Sequence, residues 1–424
     1  MQAVNSSNMI DFKKYTLENG LRLLVHPDHS TPMVTVCITY DVGTRDEDPE
    51  RTGFAHLFEH LMFGGSKHAR NFDEYIQNAG GENNAMTNQD MTVYYDMLPV
   101  ENLEVALWLE ADRMAHLNLT KKALDKERKV VVEEFKETCL EEPYGDIWHH
   151  IGPLVYTQHP YSVPTIGKTF KHIEDANLAD VETFYRKFYC PNNAILSISG
   201  KVDADEVFEK VNKWFGHIPA GPKNLRQLPK VPIQTERREL HVEAEVEAAS
   251  LYLVFHAAER KDPDYYLDEI LSDVLGDGDA SWLFKKMVKE LQIFSEADAY
   301  ITGTLDTGLF VLEGKLAEGR NFEEAEAALW AILARLKENK LSEKDLQRQQ
   351  NRIEHNLEFA EVTAFHKAVS LGYYELLGDA NWINAEGAHY RSISVEAIQN
   401  RAIQLFQPHL ASVIYYHPKI STLA

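Results

Sequence analysis

Phe54-Ala55-His56-Leu57-Phe58-Glu59-His60-Leu61-Met62-Phe63, followed by Gly64-Gly65, places two histidines four apart among apolar side chains. The glycine pair is a natural stop, so one buried helical segment is expected to end near Phe63. On a helix, positions three and four apart share a face, which points His56, Glu59 and His60 the same way. Two imidazoles one turn apart can hold a single zinc ion through their ring nitrogens. The carboxylate between them can take a proton from a water activated at that metal. Paired histidines at helical spacing are also common in cores and on surfaces, so the pattern asks for a third ligand.

Lys121-Lys122-Ala123-Leu124-Asp125-Lys126-Glu127-Arg128-Lys129-Val130-Val131-Val132-Glu133-Glu134-Phe135-Lys136-Glu137 supplies a candidate. It has no Gly or Pro, and its charged and apolar residues alternate with helical period. Glu127 and Glu134 are seven apart and sit two turns apart on one face, whereas Glu133 is rotated off it. This favours Glu134 as the third ligand, with Glu127 behind the site as an acceptor for a ligand imidazole N–H. The alternative is that these glutamates, like most in a Lys/Glu-rich helix, are solvated.

The pattern His56-Leu57-Phe58-Glu59-His60 is the inverted zinc-peptidase motif H-x-x-E-H. With a Glu 74 positions after His60, inside Glu127-Arg128-Lys129-Val130-Val131-Val132-Glu133-Glu134, it resembles the pitrilysin/insulinase family of zinc metallopeptidases, in a half-length form. The resemblance runs on through Gly80-Gly81-Glu82-Asn83-Asn84-Ala85-Met86-Thr87-Asn88-Gln89-Asp90. It also covers His159-Pro160-Tyr161 and Tyr189-Cys190-Pro191-Asn192-Asn193, so it spans most of residues 10–205.

What the resemblance implies can be carried over by position. His56, His60 and Glu134 match the zinc ligands, for one Zn2+ per chain. Glu59 matches the general base, and Glu127 an acidic position that supports catalysis in relatives. Asn84, Ala85 and Met86 fall where relatives offer an edge strand to a peptide substrate, backbone to backbone. Asn84 would hold the peptide near the cut and Met86 would help form the pocket beside it. Relatives build one half of a clamshell chamber from two duplicated domains, and this chain has the length of one half. In the family the opposing half supplies an Arg and a Tyr that stabilise the reaction intermediate. The corresponding stretch here, 308–321, holds Arg320 and no Tyr. A dimer is therefore expected, either a homodimer or a pair with a zinc-less homologous subunit.

Composition is compatible with this. A 424-residue chain with 44% hydrophobic residues can bury large cores, and its length suggests two or three domains. A net charge of −23 and a pI near 5.2 argue against nucleic acid or an anionic membrane as partner and favour basic peptides. Cys37, Cys139 and Cys190 are widely separated, which implies neither a disulfide framework nor a cysteine metal site. No stretch is long and apolar enough to span a bilayer, and residues 1–12 lack an apolar run flanked by basic residues. The cytoplasm is the expected compartment, and removal of an export signal would make the periplasm equally compatible.

The fold class expected is α+β, with two duplicated α/β domains, each a mainly antiparallel sheet packed with helices. A hairpin is expected over 14–25, strands over 33–40, 85–98 and 194–199, and helices over 102–116, 121–140, 181–189 and 204–215. A Pro/Gly/His-rich excursion fills 143–167. The duplication shows in Phe188-Tyr189-Cys190-Pro191 and Leu405-Phe406-Gln407-Pro408, each followed by an apolar strand, with the prolines 217 positions apart. The expected division is a zinc-binding catalytic domain over 1–215, a Pro/Lys/Arg/Gln-rich linker over 216–236, and a degenerate second copy over 237–424. Where the zinc helix would recur, Tyr266-Leu267-Asp268-Glu269-Ile270-Leu271 has no histidine. The function expected is zinc-dependent hydrolysis of peptides or short unfolded polypeptides in an enclosed chamber. A non-catalytic peptide-binding or scaffold subunit of the same fold is the alternative.

Overall fold

The structure is a computed structural model and describes residues 9–360 and 362–419. The first eight residues, on which part of the export-signal reading falls, lie outside the described residues. In chain order the strands are β1 (Lys13–Thr16), β2 (Arg22–Pro27), β3 (Met33–Tyr40), β4 (Glu82–Thr87), β5 (Thr92–Pro99), β6 (Ala194–Gly200), β7 (Arg238–Ala244), β8 (Ser250–Ala257), β9 (Phe294–Ile301), β10 (Gly308–Leu316) and β11 (Ser412–Pro418). The α-helices are α1 (Phe54–Leu61), α2 (Phe72–Asn78), α3 (Leu103–His116), α4 (Lys121–Phe135), α5 (Ile147–Val155), α6 (Phe170–Glu174), α7 (Leu178–Phe188), α8 (Ala204–Phe215), α9 (Asp264–Gly276), α10 (Phe322–Glu338), α11 (Glu343–Ala360), α12 (Ala364–Leu377), α13 (Glu386–Arg391) and α14 (Val395–Leu405).

Two sheets carry the fold. The first has the order β1-β2-β6-β3-β5-β4 and the second β7-β11-β8-β10-β9. Apart from β1 the two orders correspond strand for strand. In each sheet one pair is parallel, β2 with β6 and β7 with β11, and the remaining neighbours are antiparallel. Helices α7 and α14 precede the matching strands β6 and β11, each through a Pro-led 3-10 turn. The chain is thus an α+β protein of two duplicated, mainly antiparallel halves.

The described residues divide into two compact units that are not contiguous in sequence. One comprises Met1–Lys136, Val163–Leu228 and Asn356–Glu386; the other comprises Glu137–Ser162, Pro229–His355 and Gly387–Ala424. The passage at 228/229 falls inside the Pro-rich stretch 216–236, but two segments are exchanged relative to the contiguous ranges 1–215 and 237–424. The excursion 143–167 contains α5, and Ile151, Val155, Tyr156 and Tyr161 lie in one core with Tyr252, Val254, Val311 and Ile414. Conversely α12 lies on β3 and β6, with Ala368 against Cys37, Met91 and Val93. A Cβ on Gly372 would lie 2.5 Å from Thr39 Oγ1, so this close seat requires glycine. Burial on both faces explains why β3 reads as a nearly unbroken apolar run.

The single strand expected over 85–98 is two strands joined by a turn. Asn88 Oδ1 accepts the backbone N–H groups of Asp90 at 2.8 Å and Met91 at 2.9 Å, which closes an Asx turn in the middle of the run.

The first unit's core holds a charged cluster. Arg113 is 1% exposed, and Asp96 on β5 and Glu110 on α3 are both 0% exposed. Arg113 Nε donates to Glu110 Oε2 at 2.8 Å, and its guanidinium lies 4.3 Å from the Phe72 ring centroid and 4.5 Å from that of Tyr94. Both Asp96 oxygens lack a hydrogen-bond partner. Burial, reinforced by the Glu110 charge, raises the Asp96 carboxyl well above the usual carboxylate range. A group protonated in the folded chain and ionised in the unfolded chain contributes stability in acid that is lost as pH rises through the folded pKa. Asp96→Asn is therefore expected to keep or increase stability at pH 7 and to flatten the fall of stability above about pH 4. Urea unfolding at several pH values tests this, and a loss above about 1 kcal/mol at pH 7 would show that Asp96 is needed ionised.

Candidate metal centre

All the residues of the candidate centre lie in the first unit. Helix α1 is preceded by the N-cap residue Gly53, whose φ of +87° lies in the left-handed region and whose Cβ, if present, would stand 2.8 Å from the Ile166 carbonyl oxygen. Two N–H groups at the helix start, from Gly53 and Ala55, donate to Glu47 at 2.7 and 2.8 Å. That acidic cap satisfies donors which α1 leaves open, and burial pushes its carboxyl up to about 8. The Tyr94 hydroxyl donates to the Phe58 carbonyl oxygen at 3.2 Å and ties α1 to the sheet. Helix α1 ends at Leu61, two residues before Phe63, with Met62 closing the last turn.

Phe54, Ala55, Leu57, Phe58 and Leu61 are buried, which leaves His56, Glu59 and His60 on the partly exposed face. Helix α4 packs against α1 and is capped by Thr120, whose Oγ1 accepts the Ala123 N–H at 3.2 Å. It presents Glu134 one residue before its end, and the chain continues through a π-helical turn, Lys136–Glu141. His56 Nε2 lies 3.5 Å from Glu134 Oε1, and His60 Nε2 lies 3.3 Å from Glu134 Oε2. One ligand atom from each of the three residues falls within 4.8 Å of the others. Ligands about 2.1 Å from a tetrahedral zinc stand about 3.4 Å apart, so this donor set of two imidazoles and a carboxylate fits the ion.

The electrostatics agree with a shared site. A hydrogen bond from His60 holds the Glu134 carboxyl below the usual carboxylate range. Burial lowers His60, but Glu134 outweighs it and the net shift is upward. Burial pushes His56 down, against the pull of the Glu134 carboxylate. His56 Nδ1 is buried without a hydrogen-bond partner. Glu127 is buried near the site, yet its Oε1 accepts from Lys126 Nζ at 2.8 Å rather than from either imidazole.

Strand β4 forms the outer edge of the first sheet beside α1. Ala85 pairs with Tyr94, on the side of the sheet that faces α1. Asn84 and Met86 pair with Tyr95 and Val93 and so lie on the opposite side, where α12 packs. Asn84 Oδ1 accepts the Ala85 N–H at 2.8 Å. Arg320 donates to the backbone carbonyls of Leu291 and Gln292 at 2.9 and 3.0 Å.

Comparison with known proteins agrees with this geometry. The profile of the family described as insulinase, peptidase family M16, matches residues 22–146, and that of the peptidase M16 inactive domain matches residues 175–353. The chain is 30% identical over 344 residues to zinc protease PqqE of Helicobacter pylori, covering 78% of this chain and 76% of that protein. It belongs to the insulinase family of peptidases, family M16. Another member, the uncharacterized zinc protease YmxG of Bacillus subtilis, is 27% identical over 93% of this chain and 95% of its own length. The crystal structure of a protease from Helicobacter pylori superposes with a TM-score of 0.91 at 26% identity, covering 97% of this chain and all of that one.

The M16 family model for an inactive domain falls mainly on the half of the chain that lacks an H-x-x-E-H pattern. Relatives named zinc proteases place the chain among the peptidases. Among the described residues no helix is long and apolar enough to cross a membrane. The cap residue Glu47, the Tyr94 tie and the π-helical turn after Glu134 are positioning features absent from the reading of the sequence. Of these only Glu47 has a local signal, an acid in the polar loop that leads into Gly53.

Proposed function

We propose that this M16 chain is a zinc-dependent endopeptidase acting on peptides or short unfolded polypeptides. His56, His60 and Glu134 would hold one zinc, which when bound polarises a carbonyl and acidifies water. Glu59, one turn after His56, next to His60 and without a hydrogen bond to the described residues, takes the proton from the attacking water and delivers it to the leaving amine. The edge of β4 at Asn84 and Ala85 pairs with the backbone of the peptide, Asn84 giving up its bond to Ala85 to do so, while Met86 borders the neighbouring subsite. Glu127 contributes negative charge behind His60. The observation that carries this reading is the convergence of Glu134 on both Nε2 atoms, with Glu59 left uncommitted on the same helix face.

The chain is further proposed to work as a dimer inside which peptides are enclosed, either with a second copy or with a zinc-less homologue. Support comes from Arg320, whose guanidinium is engaged by backbone carbonyls, and from the lack of a tyrosine in 308–321. The cytoplasm is the proposed compartment, in keeping with three free, buried cysteines.

Elemental analysis together with cleavage of a quenched fluorescent peptide, before and after chelation, tests this. One zinc per chain, with activity lost on chelation and restored by zinc, is the expected result. Activity indifferent to chelation would overturn the zinc reading. Stoichiometric zinc without cleavage, remedied by adding a zinc-less homologue, would select the heterodimer.

A further inference from the structure

The second unit has a polar end to its sheet that the peptidase chemistry does not use. Three neighbouring strands, β8, β10 and β9, place side chains in two cross-strand rows on one face. Tyr252, Glu313 and Asp298 make one row, and Ser250, Lys315 and Glu296 the other. They line a cleft of about 250 Å3. Three carboxylates therefore face one ammonium. Lys315 is committed to Glu296, at 3.1 Å, and its Nζ lies 5.3 Å from the centroid of the Tyr144 ring.

Glu313 and Asp298 have no such cation. Glu313 is half-buried and accepts only the Tyr300 hydroxyl, at 3.2 Å. Asp298 Oδ1 accepts the Ala299 N–H at 2.7 Å. Like charges directly opposite on adjacent strands destabilise a sheet, and here they are direct register partners. Burial raises the Glu313 carboxyl, as expected of a carboxylate lacking a counter-ion. A second feature points into the same cleft. Ser250 is 1% exposed, and its Oγ has no hydrogen-bond partner. It is an acceptor in the same cleft, across from Lys315 and diagonal to Glu313.

The shape of the acidic set separates the candidate ligands. A metal ion needs its oxygen ligands close together, and among the described residues the group of three that meets this test is His56, His60 and Glu134. Glu296, Asp298 and Glu313 are spread along a row-and-rim arrangement instead. That spacing suits a planar, multi-donor cation able to reach two carboxylates at once, and flanking tyrosines suit its face. Lys315 over Tyr144 already shows this chemistry with a resident ammonium.

We propose that this cleft binds the cationic side chain of a basic peptide, with the guanidinium of an arginine bridging Glu313 and Asp298 and donating to Ser250 Oγ. The proposal deepens the peptidase reading and rests on it for the peptide character of the ligand. It gives the second, metal-free half of the chain a part in choosing substrates.

Binding is tested apart from hydrolysis, in the full-length Glu59→Gln chain. The probes are a capped, fluorescently labelled pentapeptide with a central arginine and the same peptide with citrulline, its neutral isostere. Backbone pairing at any edge strand affects both probes alike, so their difference isolates the charge. The arginine probe is expected to bind at least about tenfold more tightly by fluorescence anisotropy. Glu313→Gln, which keeps the side-chain shape and a partner for Tyr300, is expected to remove that preference. Glu323→Gln, on the exposed first turn of α10, is expected to keep it. A preference unchanged in Glu313→Gln, or lost equally in both variants, would overturn the proposal in favour of bulk charge. Displacement of the arginine probe by equimolar magnesium would overturn it in favour of a metal site. Failure of the cleavage experiment leaves this comparison readable, and failure of this comparison leaves cleavage readable.

Discussion

Glu59→Gln is expected to retain one zinc per chain while peptide hydrolysis falls by at least about a thousandfold. The expectation rests on a separation of tasks along two turns of α1. His56 and His60 are spent on Glu134 and the site between them, whereas Glu59 shares their face and has no hydrogen bond to the described residues. Gln preserves the shape of the side chain and removes only its capacity to accept and return a proton. Zinc content by elemental analysis and the cleavage rate of a quenched peptide therefore answer different questions about one substitution. Zinc lost together with activity would make Glu59 a structural part of the centre. Cleavage at the wild-type rate would remove it from the mechanism.

The same geometry shows why this part of the molecule could be read before any coordinates. Helical phase is local: it sets His56, Glu59 and His60 on one face, and it separates Glu134 from Glu133 without reference to the rest of the fold. The duplicated strand order is announced by Pro191 and Pro408, since a Pro-led turn before an apolar strand is also a local event. Features that depend on distant partners were hidden. Ile151 and Val155 read as part of an irregular excursion because the residues that bury them, Tyr252 and Val254, lie about a hundred positions later. The helix α12 gives no sign in its sequence that Gly372 will lie on Thr39.

Turn chemistry was outvoted rather than absent. Asn88-Gln89-Asp90 is a turn signal, but the β-branched and aromatic run Thr92-Val93-Tyr94-Tyr95 made 85–98 look like one strand. Glu127 illustrates a limit of phase alone. Its position two turns before Glu134 is correct for the face, yet Lys126 next to it takes up its carboxylate.

Least legible of all was Arg113, and it carries the second large effect. Nothing in the sequence of the helix over 102–116 marks the i,i+3 pair Glu110 and Arg113 as buried; in the structure both are inside the first unit's core with Asp96. Arg113→Met is expected to destabilise the chain by about 3–5 kcal/mol, because it leaves Glu110 buried with its counter-charge gone. That is a large share of the 5–15 kcal/mol typical of a folded domain. The loss should reach the candidate centre, since the guanidinium stacks on Tyr94, which holds Phe58, and on Phe63, just beyond α1. Zinc retention is accordingly expected to fall along with the urea midpoint. Should the single variant fail to fold, Arg113→Met combined with Glu110→Gln provides the reading: removing both charges is expected to recover at least about half of the loss, since a buried pair replaced as a unit costs little. A single-variant loss below about 1 kcal/mol, or a double variant no more stable than Arg113→Met, would show that the cluster is neutralised by something other than Arg113.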